Sequence, residues 1–116
     1  MNNDTTKRIA ELNDLCRTAE AMLILRQLGG LVQTAGINAL PEKEQSAIRK
    51  KVEQFNDFTP ENDPDGERDF GSFEHNGQQI SWKIDYYAPD LAHGSENPAD
   101  PKQTARVLTI MLATEY

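Results

Sequence analysis

The chain has 116 residues, of which 19 are acidic and 12 basic, giving a formal net charge of −7 at pH 7. This length suits one domain that buries its core without disulfides or metals, and the single cysteine excludes an intramolecular disulfide. No apolar run approaches the roughly 20 residues of a membrane span and no signal segment opens the chain, so we expect one cytoplasmic domain over residues 1–116.

The acidic residues are concentrated in one part of the chain. Residues 57–100 hold eleven acids and two bases, a net charge of −9, which leaves +2 for the remainder. Phosphate binding needs a basic footprint, so this distribution disfavours nucleic acid as a direct ligand. It favours a basic protein surface or a cation as partner, with a merely solvated acidic face as the plainest alternative.

The N-terminal segment has helical periodicity. Thr5 or Thr6 can serve as the N-cap, and we expect one amphipathic helix from there to Gly29 and Gly30. Its apolar positions are Ile9, Leu12, Leu15, Cys16, Ala19, Met22 and Leu23. Cys16 lies in this stripe, so we expect a buried, unreactive thiol.

A second helix is predicted after Pro41, which suits a first helical turn. Ile48, Val52 and Phe55 lie at i, i+4 and i+7, with acidic residues early and basic residues late, as the helix dipole prefers. The preceding residues 31–37, LVQTAGI, are compatible with a short strand or with an irregular connection, because alanine and glycine interrupt the β-branched residues.

The strongest local signal is a β-hairpin. Asn76 and Gly77 form the dipeptide of a type I′ turn, and strand-like runs flank it at 70–75 and 78–87. A two-residue turn fixes the register and places Trp82 opposite a glycine, where there is room for the indole. The face predicted to lie in the core carries Ile80, Trp82, Ile84 and Tyr86, and the face predicted to be open to a partner carries Ser81, Lys83, Asp85 and Tyr87.

The C-terminal residues 106–113, RVLTIMLA, are typical of a central strand buried on both sides. Together these elements predict an α+β fold. We expect an antiparallel sheet of three or four strands, including the 70–75/78–87 hairpin and the strand 106–113, packed against two helices.

The segment NDPDGERDFG, residues 62–71, raises the question of a metal site. With Gly66 at position six of an EF-hand calcium loop, Ser72 falls where a bidentate glutamate is required, and Pro64 lies inside the loop. The sequence therefore predicts a turn in which Asp63 and Asp65 bond their own backbone and Gly66 adopts a positive φ. A weak cation site at 61–69 is the alternative, and we assign no metal and no cofactor.

A catalytic interpretation would make Glu67, Asp69 and His75 the site of a metal-dependent hydrolase. We expect His75, beside the hairpin turn, and His93, in a polar loop, to be exposed. The sequence contains no nucleophile elbow, glycine-rich phosphate loop or zinc-ligand spacing, so we favour a non-catalytic protein.

The interpretation that we favour is a protein-binding surface. Interfaces are enriched in tyrosine, and acidic side chains accelerate encounter with a basic partner. The predicted partner-binding residues are Asp63, Asp65, Glu67, Asp69, Asp85 and Tyr87.

Six segments, in order along the chain, resemble the domain of unknown function 3768 family: RIAELND, TAGINALP, NDPDGERDFGSFE, WKIDYYAPDL, GSENPADP and RVLTIMLATEY. The chain departs from the family pattern at two positions, since the family usually has histidine where Arg68 stands and aspartate where Ala88 stands. If the family's Glu-His-Asp run were a catalytic or metal site, Arg68 would argue against that site in this chain.

The resemblance implies a small proteobacterial protein of the kind often carried on plasmids and other mobile elements, and it implies no established fold, activity or cofactor. This context suggests an inhibitor of a host-defence nuclease complex, of anti-restriction or anti-CRISPR type, whose carboxylates occupy a basic nucleic-acid groove. The alternatives are the hydrolase and a structural or regulatory oligomerisation domain. The sequence leaves the partner and the oligomeric state open.

Overall fold

A computed structural model describes residues 3–116, which form helices, one four-stranded sheet and a terminal 3-10 turn. The helices are α1 (Asn3–Cys16), α2 (Ala19–Leu28), α3 (Ala35–Asn38) and α4 (Glu42–Gln54). The strands are β1 (Leu31–Gln33), β2 (Phe70–His75), β3 (Gln78–Tyr87) and β4 (Ala105–Leu112), and the 3-10 turn is Ala113–Glu115. The predicted α+β class is confirmed. None of the helices in residues 3–116 has the length and apolar character needed to cross a membrane.

The sheet has the strand order β1-β4-β3-β2, so the C-terminal strand is central, as predicted. Strand β3 pairs antiparallel with both β2 and β4. Residues 31–33 do form a strand, but β1 pairs with β4 in the parallel direction, with Leu31 beside Leu108. The sheet is therefore mixed rather than wholly antiparallel. The pairing of β1 with β4 joins two distant parts of the chain, and no local sequence pattern predicts it.

The hairpin has the predicted register. Asn76 and Gly77 have φ values of 50° and 80°, and Gly71 lies opposite Trp82. A Cβ atom at Gly71 would lie 2.4 Å from Trp82 Nε1, which a side chain cannot tolerate. Glycine at this position is thus what lets the fully buried indole lie flat against β2.

The predicted first helix is two helices, beginning at Asn3 rather than at Thr5 or Thr6. The chain breaks at Thr18, whose backbone is extended (ψ 154°) and whose Oγ1 accepts a hydrogen bond from the amide of Ala21 at 3.2 Å. This side chain satisfies one of the free amides at the start of α2. A threonine N-cap thus turns the chain, and the helices bury separate apolar residues.

The helices cover one face of the sheet, and the hydrophobic core lies between the helices and that face. Its central residues are fully buried: Ile48 and Val52 from α4, Ile80 and Trp82 from β3, and Leu108 and Ile110 from β4. The rings of Phe55 and Phe58 pack edge-on against Trp82, with centroids 5.6 and 6.2 Å away.

Within residues 3–116, the α-helices leave the opposite face of the sheet uncovered. On that face Met111 is buried but Val107 and Thr109 are half-buried, so β4 is less enclosed than the predicted two-sided burial. The ring of Tyr116 packs on Phe70 from this side, with centroids 5.9 Å apart.

Cys16 is buried, as predicted, and burial raises the pKa of its thiol to about 11. A neutral buried thiol contributes to the core as a small apolar group.

Candidate functional site: the acidic turn and its support

The acidic turn, residues 61–69, leads into β2. Its start is fixed by Asn62, whose Oδ1 accepts from the amide of Thr59 at 2.8 Å and whose Nδ2 donates to the carbonyl of Asp57 at 2.9 Å. Asp63 Oδ1 accepts from the amide of Arg68 at 3.1 Å, and Gly66 has φ 73°. The predicted turn is confirmed for Asp63 and Gly66 but is wrong for Asp65, whose exposed carboxylate accepts no hydrogen bond from the backbone of residues 3–116.

A buried polar network holds the turn against α1. Asn13 is 0% exposed, and its Nδ2 donates to the carbonyl of Glu67 at 2.9 Å and to the hydroxyl oxygen of Tyr86 at 2.7 Å. The Tyr86 hydroxyl donates in turn to Glu67 Oε1 at 2.8 Å. Arg106 Nε donates to Asn13 Oδ1 at 2.7 Å. We call Asn13, Glu67, Tyr86 and Arg106 the Asn13 network.

Tyr86 is the uncharged donor of the network. Burial raises the pKa of the Tyr86 hydroxyl, so this group stays neutral and acts as a donor to the Glu67 carboxylate. Arg106 Nη2 also donates to the carbonyl of Pro98 at 2.6 Å, which ties the loop before β4 to the same cluster. Glu67 is therefore a supporting residue whose carboxylate is already engaged, rather than a free contact for a partner.

Asp69 is half-buried at the end of the acidic turn. Burial raises the pKa of its carboxyl above the usual 3.8, and the nearby charges of Glu67, Asp63 and Asp65 act in the same direction, whereas a hydrogen bond with its own amide opposes them. The folded state thus disfavours ionised Asp69. The loss of stability is complete when the pH is above the folded-state pKa of Asp69, and it disappears when the pH falls below the unfolded-state pKa.

We therefore expect Asp69→Asn to raise the melting temperature at pH 7 by about 2–4 °C and to leave it unchanged at pH 3, where the carboxyl is protonated in both states. Thermal unfolding of both proteins at the two pH values measures this. Asp65→Asn, at an exposed position of the same turn, serves as the control and should shift the melting temperature less. A lower melting temperature for Asp69→Asn at pH 7 would contradict the assigned repulsion.

Arg68 adopts a left-handed backbone with φ 56°. Its Nη1 pairs with Asp14 Oδ2 at 2.8 Å, and its guanidinium lies 5.3 Å from the ring centroid of Phe58. Arg68 therefore fastens the turn to α1. Among residues 3–116, no group of three or more histidine, cysteine, aspartate or glutamate side chains could hold a metal ion.

The prediction that His75 is exposed is wrong. His75 is 8% exposed, because the hairpin tip packs against α4. Lys51 Nζ lies 3.0 Å from His75 Nδ1, and Glu44 Oε2 lies 2.5 Å from Nε2. An ammonium group only donates, so Nδ1 is the acceptor and the proton is on Nε2.

The structure also separates His75 from the acidic turn. His75 ends β2 whereas Asp69 precedes it, and six residues of strand span about 20 Å. The predicted catalytic grouping of Glu67, Asp69 and His75 is therefore not assembled. His93 is exposed, as predicted, and pairs with Asp90 Oδ2 at 3.0 Å.

Asp85 and Tyr87 lie on the face of the sheet opposite the helices, whereas Glu67 contacts Tyr86 on the helix-covered face. Asp85 Oδ2 is 2.9 Å from Lys83 Nζ, which partly neutralises it. The six predicted binding residues therefore form two patches: the acidic turn and a smaller patch on the open sheet face.

Sequence reasoning missed the polar residues that support the site. Asn13 interrupts the apolar stripe between Ile9 and Cys16, and this interruption was the one available signal. Arg17 follows at i+4 from Asn13 and is 3% exposed. Its Nη1 donates to the carbonyls of Val52 at 2.6 Å and Phe55 at 3.1 Å, where α4 ends.

Comparison with known proteins places the chain in a family without supplying an activity. No curated protein and no solved structure matches it. A family model described as protein of unknown function (DUF3768) matches residues 33–115, from β1 to the terminal 3-10 turn. The chain therefore belongs to the DUF3768 family.

Proposed function

We propose that this protein is a non-catalytic interaction protein whose acidic turn binds a basic protein surface. The observation that carries the proposal is a turn held in place by hydrogen bonds while its outer carboxylates stay free. Glu61 and Asp65 in the turn and Asp57 just before it are exposed, and none of the three has an ion-pair partner among residues 3–116. A preorganised set of charges loses little conformational entropy when it binds, so it supports affinity as well as encounter rate.

The partner class that suits this surface is a cytoplasmic nucleic-acid-processing complex of host defence, which would make this protein an inhibitor of anti-restriction or anti-CRISPR type. Such complexes hold basic grooves that fit a polymer with one charge per ~1.7 Å of duplex axis. A fixed array of carboxylates can compete for such a groove. Asp63 and Asp69 extend the array at partly buried positions, and Asp85 with Tyr87 provides a second contact on the open sheet face.

The test compares two variants of equal charge. The turn variant carries Asp57→Asn, Glu61→Gln and Asp65→Asn. The control variant carries Glu20→Gln, Glu74→Gln and Glu96→Gln, three exposed carboxylates outside the turn. Each has a formal net charge three units less negative than the wild type, so a general effect of charge would appear in both.

Each protein is produced in cells that carry an active restriction or CRISPR system, and the transformation efficiency of a targeted plasmid is measured. We expect the wild type and the control variant to raise this efficiency at least tenfold, and the turn variant to lose the effect. Tagged wild-type protein should also retain the nuclease complex on an affinity resin. Equal protection by the turn variant, or no protection against any system tested, would count against the proposal.

A further inference from the structure

A second surface of opposite character lies between α2 and α4. It is a groove of about 350 Å³. Its apolar lining comes from Ala19, Met22 and Leu23 on α2, and its basic lining comes from Arg26, Arg49 and Lys50. Glu53 Oε2 accepts from the amide of Ala19 at 2.8 Å, which joins the two helices at one end of the groove.

Two of the groove's cations are unneutralised. Arg49 pairs with Glu42 at 2.6 Å, but Arg26 and Lys50 are exposed and have no ion-pair partner among residues 3–116. The chain has an excess of acids, yet these are concentrated in residues 57–100, outside α2 and α4. Free positive charge is thus kept at one groove of an acidic protein.

Part of the apolar lining of the groove is exposed to solvent. Leu23 is 58% exposed beside the buried Met22. A single exposed leucine is ordinary on a protein surface. Leu23, however, lies in a concave surface beside two unpaired cations, and this combination suits a ligand that is both apolar and anionic. Nucleic acid does not fit this description, because it offers no aliphatic side chain to pack on Leu23.

We propose that this groove docks an acidic amphipathic segment of a partner protein. An apolar side chain of the segment packs on Met22 and Leu23, and its carboxylates pair with Arg26 and Lys50. The ten residues of α2 are about 15 Å long, which is enough for two to three turns of a helical segment laid alongside. This site has the opposite charge to the acidic turn and does not depend on it.

The probe is a fluorescein-labelled ten-residue peptide with leucines at i and i+4 and glutamates at the flanking positions. Fluorescence polarisation measures its binding, and chemical shifts of the ¹⁵N-labelled protein locate it. We expect saturable binding, with the largest shifts at Met22, Leu23 and Ser46, which all line the groove. Arg26→Glu with Lys50→Glu should weaken binding at least tenfold.

Two controls separate specific docking from general attraction. Lys7→Glu with Lys102→Glu changes the net charge equally at exposed positions outside the groove and should leave the affinity within twofold. A peptide in which serine replaces both leucines should bind at least tenfold more weakly. Equal binding of the serine peptide, equal loss in the control variant, or shifts outside the groove would overturn the proposal.

Discussion

Replacing Arg17 by methionine is expected to lower the free energy of unfolding by about 3–5 kcal/mol. The guanidinium donates to two carbonyls at the end of α4 and to Asp14 Oδ1 at 3.1 Å, and it lies 4.5 Å from the ring centroid of Trp82. Methionine fills much of the volume but donates to none of these three acceptors, and the Val52 carbonyl keeps a 3.3 Å bond from the amide of Phe55. The total free energy of unfolding of a small domain is only about 5–15 kcal/mol, so this loss is a large share of it.

Urea unfolding followed by the fluorescence of Trp82, the only tryptophan, measures this loss. Arg8→Met is the matched control, because Arg8 lies on α1, nine residues earlier, is exposed, and within residues 3–116 forms one ion pair, with Glu11 at 3.6 Å. It should cost less than about 1 kcal/mol. Arg17→Lys should fall between the two, since an ammonium keeps the charge but not the planar fork. Equal losses for Arg17→Met and Arg8→Met would contradict the assigned role.

Replacing Asn13 by leucine, a side chain of similar size, is expected to cost about 3 kcal/mol or more. The change removes both donors to Glu67 and Tyr86 and the acceptor of Arg106. It leaves a guanidinium facing an apolar side chain. We also expect faster amide hydrogen exchange in the acidic turn, because the bond from Asn13 to the carbonyl of Glu67 no longer holds it.

Tyr86→Phe tests the same network more gently. It removes only the hydroxyl, so we expect a loss of about 1–2 kcal/mol. In the double variant the losses should not add, since both residues share one cluster. Unfolding free energies for the two single variants and the double variant complete the cycle. Additive losses, or unchanged exchange in residues 61–69, would show that the Asn13 network does not act as a unit.

Both predictions concern residues that precede the part of the chain matched by the family model, which begins at residue 33. Helix α1 nevertheless supplies Asn13 to the acidic turn, and Arg17, directly after α1, binds the end of α4. Helix α2 supplies half of the residues that line the groove between α2 and α4. The segment before residue 33 is therefore an integral part of this domain, and both proposed surfaces depend on it.

Local interactions determined what the sequence predicted well. The dipeptide Asn76 and Gly77 sets the turn within four residues and thereby the register of the whole hairpin. Helix α4 follows from the i, i+4, i+7 spacing of its apolar residues, and its two inward residues are fully buried. The buried Cys16 and the conformation of the acidic turn also follow from short-range patterns.

Tertiary contacts decided the rest. His75 is buried because α4, more than twenty residues away in sequence, brings Glu44 and Lys51 to both ring nitrogens. Strand β1 pairs in the parallel direction with β4, where Leu31 lies beside Leu108, and no local pattern specifies a pairing between residues so far apart in the chain. Asn13 and Arg17 look like interruptions of an amphipathic helix until Glu67, Tyr86 and the carbonyls of α4 are placed around them. A buried polar side chain is stable only when its partners surround it, and here those partners come from other elements of the fold.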